Sequence, residues 1–195
     1  DIMTLATAVT GLQVDGKGGA DSLTLADTAS TVTATAVATV SGGAQGDTIT
    51  VTGATGATIS GGGGNDTLTG GAGDDIFIGG VGTDTINLAS GGADVVRLDH
   101  LSADTINGFN AGSGDKIQLS KAVFTALGAV GPLSGVEYGE SNGGAAATAA
   151  QRLFFDTGAS RLYYDINGSG EAGVTLIAIL TGVTTLSAAN FEIVA

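Results

Sequence analysis

The chain has no cysteine and no tryptophan, and only one histidine (His100) and one proline (Pro132) in 195 residues. Without cysteine there are no disulfides and no thiolate metal sites. One histidine cannot build a zinc centre without other strong ligands. Basic residues are scarce too, six against nineteen acidic ones, for a formal net charge of −13. That excess repels nucleic acid and anionic lipid surfaces, and excludes both as partners. No apolar run reaches the roughly 18 residues of a membrane span, and no amino-terminal signal peptide is visible. The chain is therefore expected not to span a membrane. Its opening, Asp1-Ile2-Met3, reads like a cut within a longer polypeptide.

Glycine, by contrast, is abundant, at 35 residues against a usual share of about 7%. It shows no collagen period. Apolar residues make up 43% of the chain and mean hydropathy is +0.35, whereas disordered chains are poor in apolar residues. The composition fits a fold of many tight turns. An acidic chain that collapses must bring in cations, and hard divalent ions suit carboxylate and carbonyl oxygens.

Residues 61–87 hold three nonapeptides in tandem: Gly61-Gly62-Gly63-Gly64-Asn65-Asp66-Thr67-Leu68-Thr69, Gly70-Gly71-Ala72-Gly73-Asp74-Asp75-Ile76-Phe77-Ile78 and Gly79-Gly80-Val81-Gly82-Thr83-Asp84-Thr85-Ile86-Asn87. Each fits G-G-x-G-x-D-x-U-x, with U a large apolar residue. Six residues curl into a turn that glycine eases. Three form a strand whose central side chain points inward. Two nonapeptides make one coil, so residues eighteen apart stack, and Asp66 lies against Asp84. A calcium ion between such turns can take carboxylates and loop carbonyls. The candidate ligands are Asp66, Asp75 and Asp84 with the carbonyls of Gly61, Gly63, Gly70, Ala72, Gly79 and Val81. Asp94, Asp47 and Asp104 keep the aspartate-x-apolar relation and join the set. Asp21 is weaker, because Lys17 sits in its turn.

The inward column runs Leu68, Phe77, Ile86 and back through Ile59, Ile49, Val40, Val32, Leu23, Val14 and Leu5. This predicts an all-β fold, a parallel β-roll or related β-solenoid from about residue 5 to about residue 106. Thr28–Val40 lacks turn glycines and reads as a strand-rich coil with little metal. The division is residues 1–107 for the roll and 108–195 for a small antiparallel β-rich cap. Alternation over Arg161–Ile166 and Val174–Leu180 predicts strands there. Lys121–Leu127 is expected as one short helix after Ser120.

The tandem nonapeptides resemble the RTX family of bacterial proteins exported by type I secretion. Ala103-Asp104-Thr105-Ile106-Asn107-Gly108-Phe109 with Gly114-Asp115-Lys116-Ile117-Gln118-Leu119-Ser120 looks like the segment that closes the roll in that family. Leu153-Phe154-Phe155-Asp156-Thr157 with Arg161–Gly170 looks like the hairpin before its secretion signal, and Ala188–Ala195 is similar to its terminal signals. The resemblance implies Ca2+ as cofactor, the type I secretion machinery as partner, and a secreted or cell-surface location. It implies no catalysis in this chain. Two settings remain open: a surface-layer-like structural protein capable of self-assembly into a lattice, or the calcium-binding and secretion module of an exported protease, lipase or haemolysin whose catalytic domain lies upstream.

Other motifs carry less. Asp165-x-Asn167-x-Ser169-Gly170 starts like an EF-hand loop, but its twelfth position is Leu176 and not glutamate, so a hairpin turn is expected. Gly139-Glu140-Ser141-Asn142-Gly143 fits G-x-S-x-G without the histidine base and helix that motif needs. Asp99 and His100 read as a surface pair. Strings like G-x-G-x-x-G belong to the repeats, with no helix following to hold a phosphate.

Overall fold

The structure, a computed structural model, describes residues 1–88, 91–143, 148–168 and 172–195. Short Thr/Val/Ile strands between glycine turns alternate between two sheets, as a nine-residue half-coil requires. The nine-stranded sheet runs through Ile2–Thr4, Ser22–Thr24, Thr39–Ser41, Thr58–Gly63, Ile76–Val81, Val95–Leu98, Lys116–Ser120 and Phe191–Val194, with Gly131–Pro132 at its edge. The ten-stranded sheet runs through Leu12–Asp15, Thr31–Thr35, Thr48–Thr52, Thr67–Thr69, Thr85–Asn87, Asp104–Asn107, Val174–Thr181, Arg161–Asp165, Leu153–Asp156 and Tyr138–Ser141. From the amino terminus to Lys116–Ser120 and Asp104–Asn107, every pairing is parallel. Among the described residues there is no α-helix, only a single 3-10 turn at Ala188–Asn190. The chain is an all-β parallel solenoid with antiparallel strands at its carboxy-terminal end.

Register follows the repeat. Thr67 faces Thr85 and Leu68 faces Ile86, one coil apart. One inner column holds Val32, Ile49, Leu68, Ile86 and Ile106, and the opposite one Leu23, Val40, Ile59, Phe77, Val96 and Ile117. All are essentially inaccessible to solvent. Each such side chain is worth about 1.5–3 kcal/mol of burial. Outside the ten-stranded sheet, Thr31, Thr48, Thr67, Thr85 and Thr105 stack in one line, a cross-strand arrangement that suits β-branched residues.

The first coil differs from the sequence reading. Leu12, not Val14, stands in line with Val32, and Met3, not Leu5, with Leu23. Val14 faces Ala34 instead. A shift of two residues keeps the same side chains inward, so Leu5 and Val14 still pack against the core, half-buried. The expected helix at Lys121–Leu127 is a run of turns, with the Phe124 N–H on the Ser120 carbonyl at 2.8 Å and the Leu127 N–H on the Phe124 carbonyl at 3.1 Å. Phe124 and Leu127 are pulled into the core, where Phe124 meets the Tyr164 ring edge-on at 5.1 Å.

Strands occur at Arg161–Asp165 and Val174–Thr181, and Leu153–Asp156 pairs antiparallel with Arg161–Asp165. These strands continue the solenoid's own sheets. Val174–Thr181 lies parallel to Asp104–Asn107, and Phe191–Val194 lies parallel to Lys116–Ser120. The carboxy-terminal region thus covers the sheet edges that the last coil would leave open.

Because Phe77 is fully buried in the inner column, Phe77→Ala should cost about 3–5 kcal/mol. Val136→Ala, at an exposed site, should stay within about 0.5 kcal/mol. Urea unfolding in saturating calcium checks both.

Candidate metal centre

Two rows of turns run along the two edges of the solenoid, each turn ending in the residue that opens the next strand. In one row, Asp47, Asp66, Asp84 and Asp104 stack. Each Oδ1 accepts the backbone N–H of the coil before it: Ser30 to Asp47 at 2.7 Å, Asp47 to Asp66 at 2.7 Å, Asp66 to Asp84 at 2.8 Å, Asp84 to Asp104 at 3.0 Å. In the other row Ala57 donates to Asp75 at 2.7 Å, Asp75 to Asp94 at 2.9 Å and Asp94 to Asp115 at 3.0 Å. All these aspartates are buried. The sequence places Asp here because its short carboxylate reaches a backbone donor of the adjacent coil, which would otherwise be buried without an acceptor.

The second oxygens of five of these aspartates fall into two groups. Asp47 Oδ2 accepts the Gly43 N–H and Asp75 Oδ2 the Gly71 N–H, both at 2.8 Å. Asp115 Oδ2 accepts the Asn110 N–H at 2.8 Å. Asp66 Oδ2 and Asp84 Oδ2 are buried with no hydrogen-bond partner. The difference lies at the second turn residue. Gly62 and Gly80, in the turns of Asp66 and Asp84, have φ of 100° and 93°, a region glycine enters freely. Gly43 and Gly71, which donate to their aspartates, are not in that region.

The first turn glycine serves space instead. Neither Gly61 nor Gly79 has positive φ. A β-carbon on Gly61 would overlap Asp66 Oδ2 and lie 2.7 Å from the Gly79 carbonyl oxygen. On Gly42 it would overlap the Gly61 carbonyl and lie 2.8 Å from Asp47 Oδ2. A carboxylate oxygen and a carbonyl of the next coil therefore converge on one cradle. An orphaned buried acceptor costs about 1–3 kcal/mol, which a cation at that point removes. Among the described residues no three His, Cys, Asp or Glu side chains gather, so backbone carbonyls must complete the coordination. Calcium, with six to eight oxygen ligands, accepts such a set. The residues present fit it.

Without metal, five of these carboxyls hold their protons more tightly than an exposed aspartate does. Burial pushes the Asp66 carboxyl up to about 6, against the lowering effect of the Asp47 N–H, and the charges of Asp84 and Asp47 add to the rise. Burial likewise raises Asp94 to about 6, with Asp115 and Asp75 adding, and Asp104 to about 7, with Asp84 and Asp99 adding. Asp75 and Asp84 are raised by the same cause.

Of the other residues singled out in the sequence, Gly63 and Val81 face each other in register where two strands run on into the turns. The Ala72 N–H donates to the Gly53 carbonyl at 2.6 Å. Gly70 has Asp75 Oδ2 and Phe77 Cζ each 2.5 Å from where a β-carbon would stand. Asp115 was not among the candidates. Its Asp-x-apolar relation to Ile117 was a usable signal, hidden by the longer turn from Asn110. Gly139–Ser141 lies in the strand Tyr138–Ser141 at the far edge of its sheet. His100 Nδ1 pairs with Asp99 Oδ1 at 2.9 Å. Asp165 Oδ1 accepts the Asn167 and Gly168 N–H groups at 3.0 and 2.8 Å, as a hairpin turn does. Ser169 and Gly170 of that motif lie outside the described residues.

An unfolded Asp loses its proton near 3.9. The raised carboxyls therefore favour the metal-free fold below about pH 4, and that contribution is lost as pH rises through about 6 to 7. In excess chelator, urea stability should fall between pH 4 and 7.5. With calcium, protons compete for the same oxygens, so the calcium midpoint should move to higher concentration from pH 7 to 5. Chelated protein that gains stability over that rise in pH would contradict the carboxyl assignment. Gly61→Ala, whose β-carbon takes up the cradle at an ordinary φ, should raise the calcium midpoint of folding at least tenfold.

Comparison with known proteins agrees with this geometry. Residues 51–86 match the family model described as RTX calcium-binding nonapeptide repeat (4 copies). No curated protein matches the chain. The matched stretch holds Asp66, Asp75 and Asp84 with both kinds of turn glycine, and the chain therefore carries RTX calcium-binding nonapeptide repeats, whose ion is Ca2+.

Proposed function

We propose that this chain is the calcium-binding structural module of a cell-surface protein, surface-layer-like, that is exported by a type I system and folds on calcium outside the cell. The observation that carries the reading is the pair of orphaned, buried oxygens of Asp66 and Asp84 within the matched repeats. The ligand set is Asp66, Asp75, Asp84, Asp94, Asp47 and Asp104, with carbonyls from Gly61, Gly63, Gly70, Ala72, Gly79 and Val81. Residues 1–107 act as the calcium roll. Residues 108–195 act as its closure and carry the secretion signal.

The physical case starts from charge. Where calcium is scarce, buried aspartates stacked at coil spacing repel one another, and a net charge of −13 opposes collapse. Such a chain stays open enough to thread a channel. Where calcium is plentiful, each site that binds only the folded turns adds RT ln(1 + [L]/Kd), about 2.7 kcal/mol at a hundredfold excess. A few sites match the whole stability of an ordinary domain, so binding and folding are one event. Thr/Ala/Gly-rich coils with few charges outside the turns support a structural surface role capable of lattice assembly.

Circular dichroism of the full chain tests this directly. At pH 7.5, where the raised carboxyls no longer favour the metal-free fold, chelation should remove the strand signal, and calcium but not magnesium should restore it, since magnesium keeps six ligands and sheds water reluctantly. A spectrum unchanged by thorough chelation would overturn the reading. Deleting Leu153–Ala195 removes the partner strand of Asp104–Asn107; it should abolish type I export and shift the calcium midpoint of the remaining roll upward.

A further inference from the structure

The turn Gly16–Asp21 lies outside residues 51–86 and departs from the repeat at its second position, Lys17. Its backbone nevertheless follows the path of the turns with orphaned carboxylates. Lys17 has φ of 65°, beside Gly62 and Gly80 at 100° and 93°. A left-handed lysine costs about 1–2 kcal/mol, and such outliers persist where the surroundings demand them. The Lys17 N–H donates to Asp15 Oδ1 at 2.9 Å and not to Asp21.

Asp21 itself is 6% exposed. Its Oδ1 accepts from the Asp1 amino-terminal ammonium at 2.5 Å, an ion pair, at the place that the Asp47 N–H takes on Asp66. Its Oδ2 is buried with no hydrogen-bond partner. A β-carbon on Gly16, which is not in the left-handed region, would overlap the Ala36 carbonyl oxygen and lie 2.7 Å from Asp21 Oδ2. Carboxylate and next-coil carbonyl thus converge as they do at Gly61. A cavity of about 340 Å³ opens beside them, lined among others by Asp15, Gly16, Lys17, Asp21 and Val37.

We propose that this turn is a further calcium site, with the ion held by Asp21 Oδ2 and the Ala36 carbonyl in the cradle at Gly16, and with Asp15 adding negative charge at the cavity wall. The site rests on the calcium reading above and extends it to a turn that breaks the repeat. It would pin the coil of Ser22–Thr24, for the Asp21 carbonyl accepts both the Ala38 and Thr39 N–H groups at 3.0 and 3.1 Å. Order at Asp21 is thereby passed to the second coil. The rival cations are the Asp1 ammonium, already paired with Asp21 Oδ1, and the Lys17 ammonium.

The test counts calcium ions, with the metal alone as probe, on the full chain by native mass spectrometry and equilibrium dialysis. Wild type is compared with Asp21→Asn, Gly16→Ala, Lys17→Met and Asp84→Asn. Asp21→Asn and Gly16→Ala should each bind one ion fewer than wild type, and hydrogen exchange should quicken at least tenfold at Ser22–Thr24 but not at Thr67–Thr69. Gly16→Ala keeps the carboxylate, so it decides the matter if Asp21→Asn fails to fold. Unchanged counts and midpoints for both variants, with an ion lost in Asp84→Asn, would overturn the site and leave the calcium reading standing. A Lys17→Met variant that gains an ion would overturn it in favour of the Lys17 ammonium. No bound calcium in wild type would refute both readings.

Discussion

The structure depends on one contact, the buried aspartate Oδ1 that accepts a backbone N–H from the neighbouring coil. Strands of three residues give little ladder, and the turns between them leave donors facing inward. A donor buried without a partner is costly, and Asp47, Asp66, Asp84 and Asp104 supply the acceptors in succession. That solution stacks carboxylates at the spacing of adjacent strands, roughly 4.8 Å. Like charges so close and so dry must bind a proton or a cation. Calcium binding therefore follows from backbone hydrogen bonding; it is not an activity added to a finished fold.

Two turn states divide the work. When the second turn residue keeps ordinary φ, as at Gly43 and Gly71, its N–H closes on Oδ2 and the carboxylate is satisfied by the protein. When it swings to positive φ, as at Gly62, Gly80 and Lys17, Oδ2 is left open beside a bare glycine Cα. The same motif thus yields turns whose open carboxylate oxygen calls for a cation outright, and turns, those of Asp47 and Asp75, in which a cation has to take the place of a backbone N–H.

Much of this was legible in the sequence. The nine-residue period fixes which side chain points inward, because a three-residue strand has one central position; Leu68, Phe77 and Ile86 obey it, and Val96 and Ile106 follow at ten-residue steps, still inward. The turn aspartates were legible for the same reason. The first coil was misread by two residues, since Leu12 and Val14 are equally apolar and alternate on the same face, and only pairing with Val32 separates them. The state of Oδ2 was not legible. It turns on one backbone torsion that glycine leaves undetermined, and Lys17 looked like an obstacle because its charge is visible in sequence and its φ is not.

The carboxy-terminal strands stand apart energetically. Within the roll each strand pairs with one about seventeen to twenty-one residues away, and each new coil meets a template already formed, as in other solenoids. Val174–Thr181 must instead find Asp104–Asn107, and Phe191–Val194 must find Lys116–Ser120, across more than seventy residues. Loop closure makes such pairings more expensive, and a bare strand edge must already exist to receive them. The last coil offers that edge only once its own turns are ordered, and Asp84, Asp94, Asp104 and Asp115 sit in those turns. A cation taken up in the roll therefore lowers the cost of docking segments that contain no repeat. Docking in turn covers the open edge that would fray the last turns. On the proposed function, calcium binding and closure are thus coupled through the shared strands, and each favours the other by the same free energy.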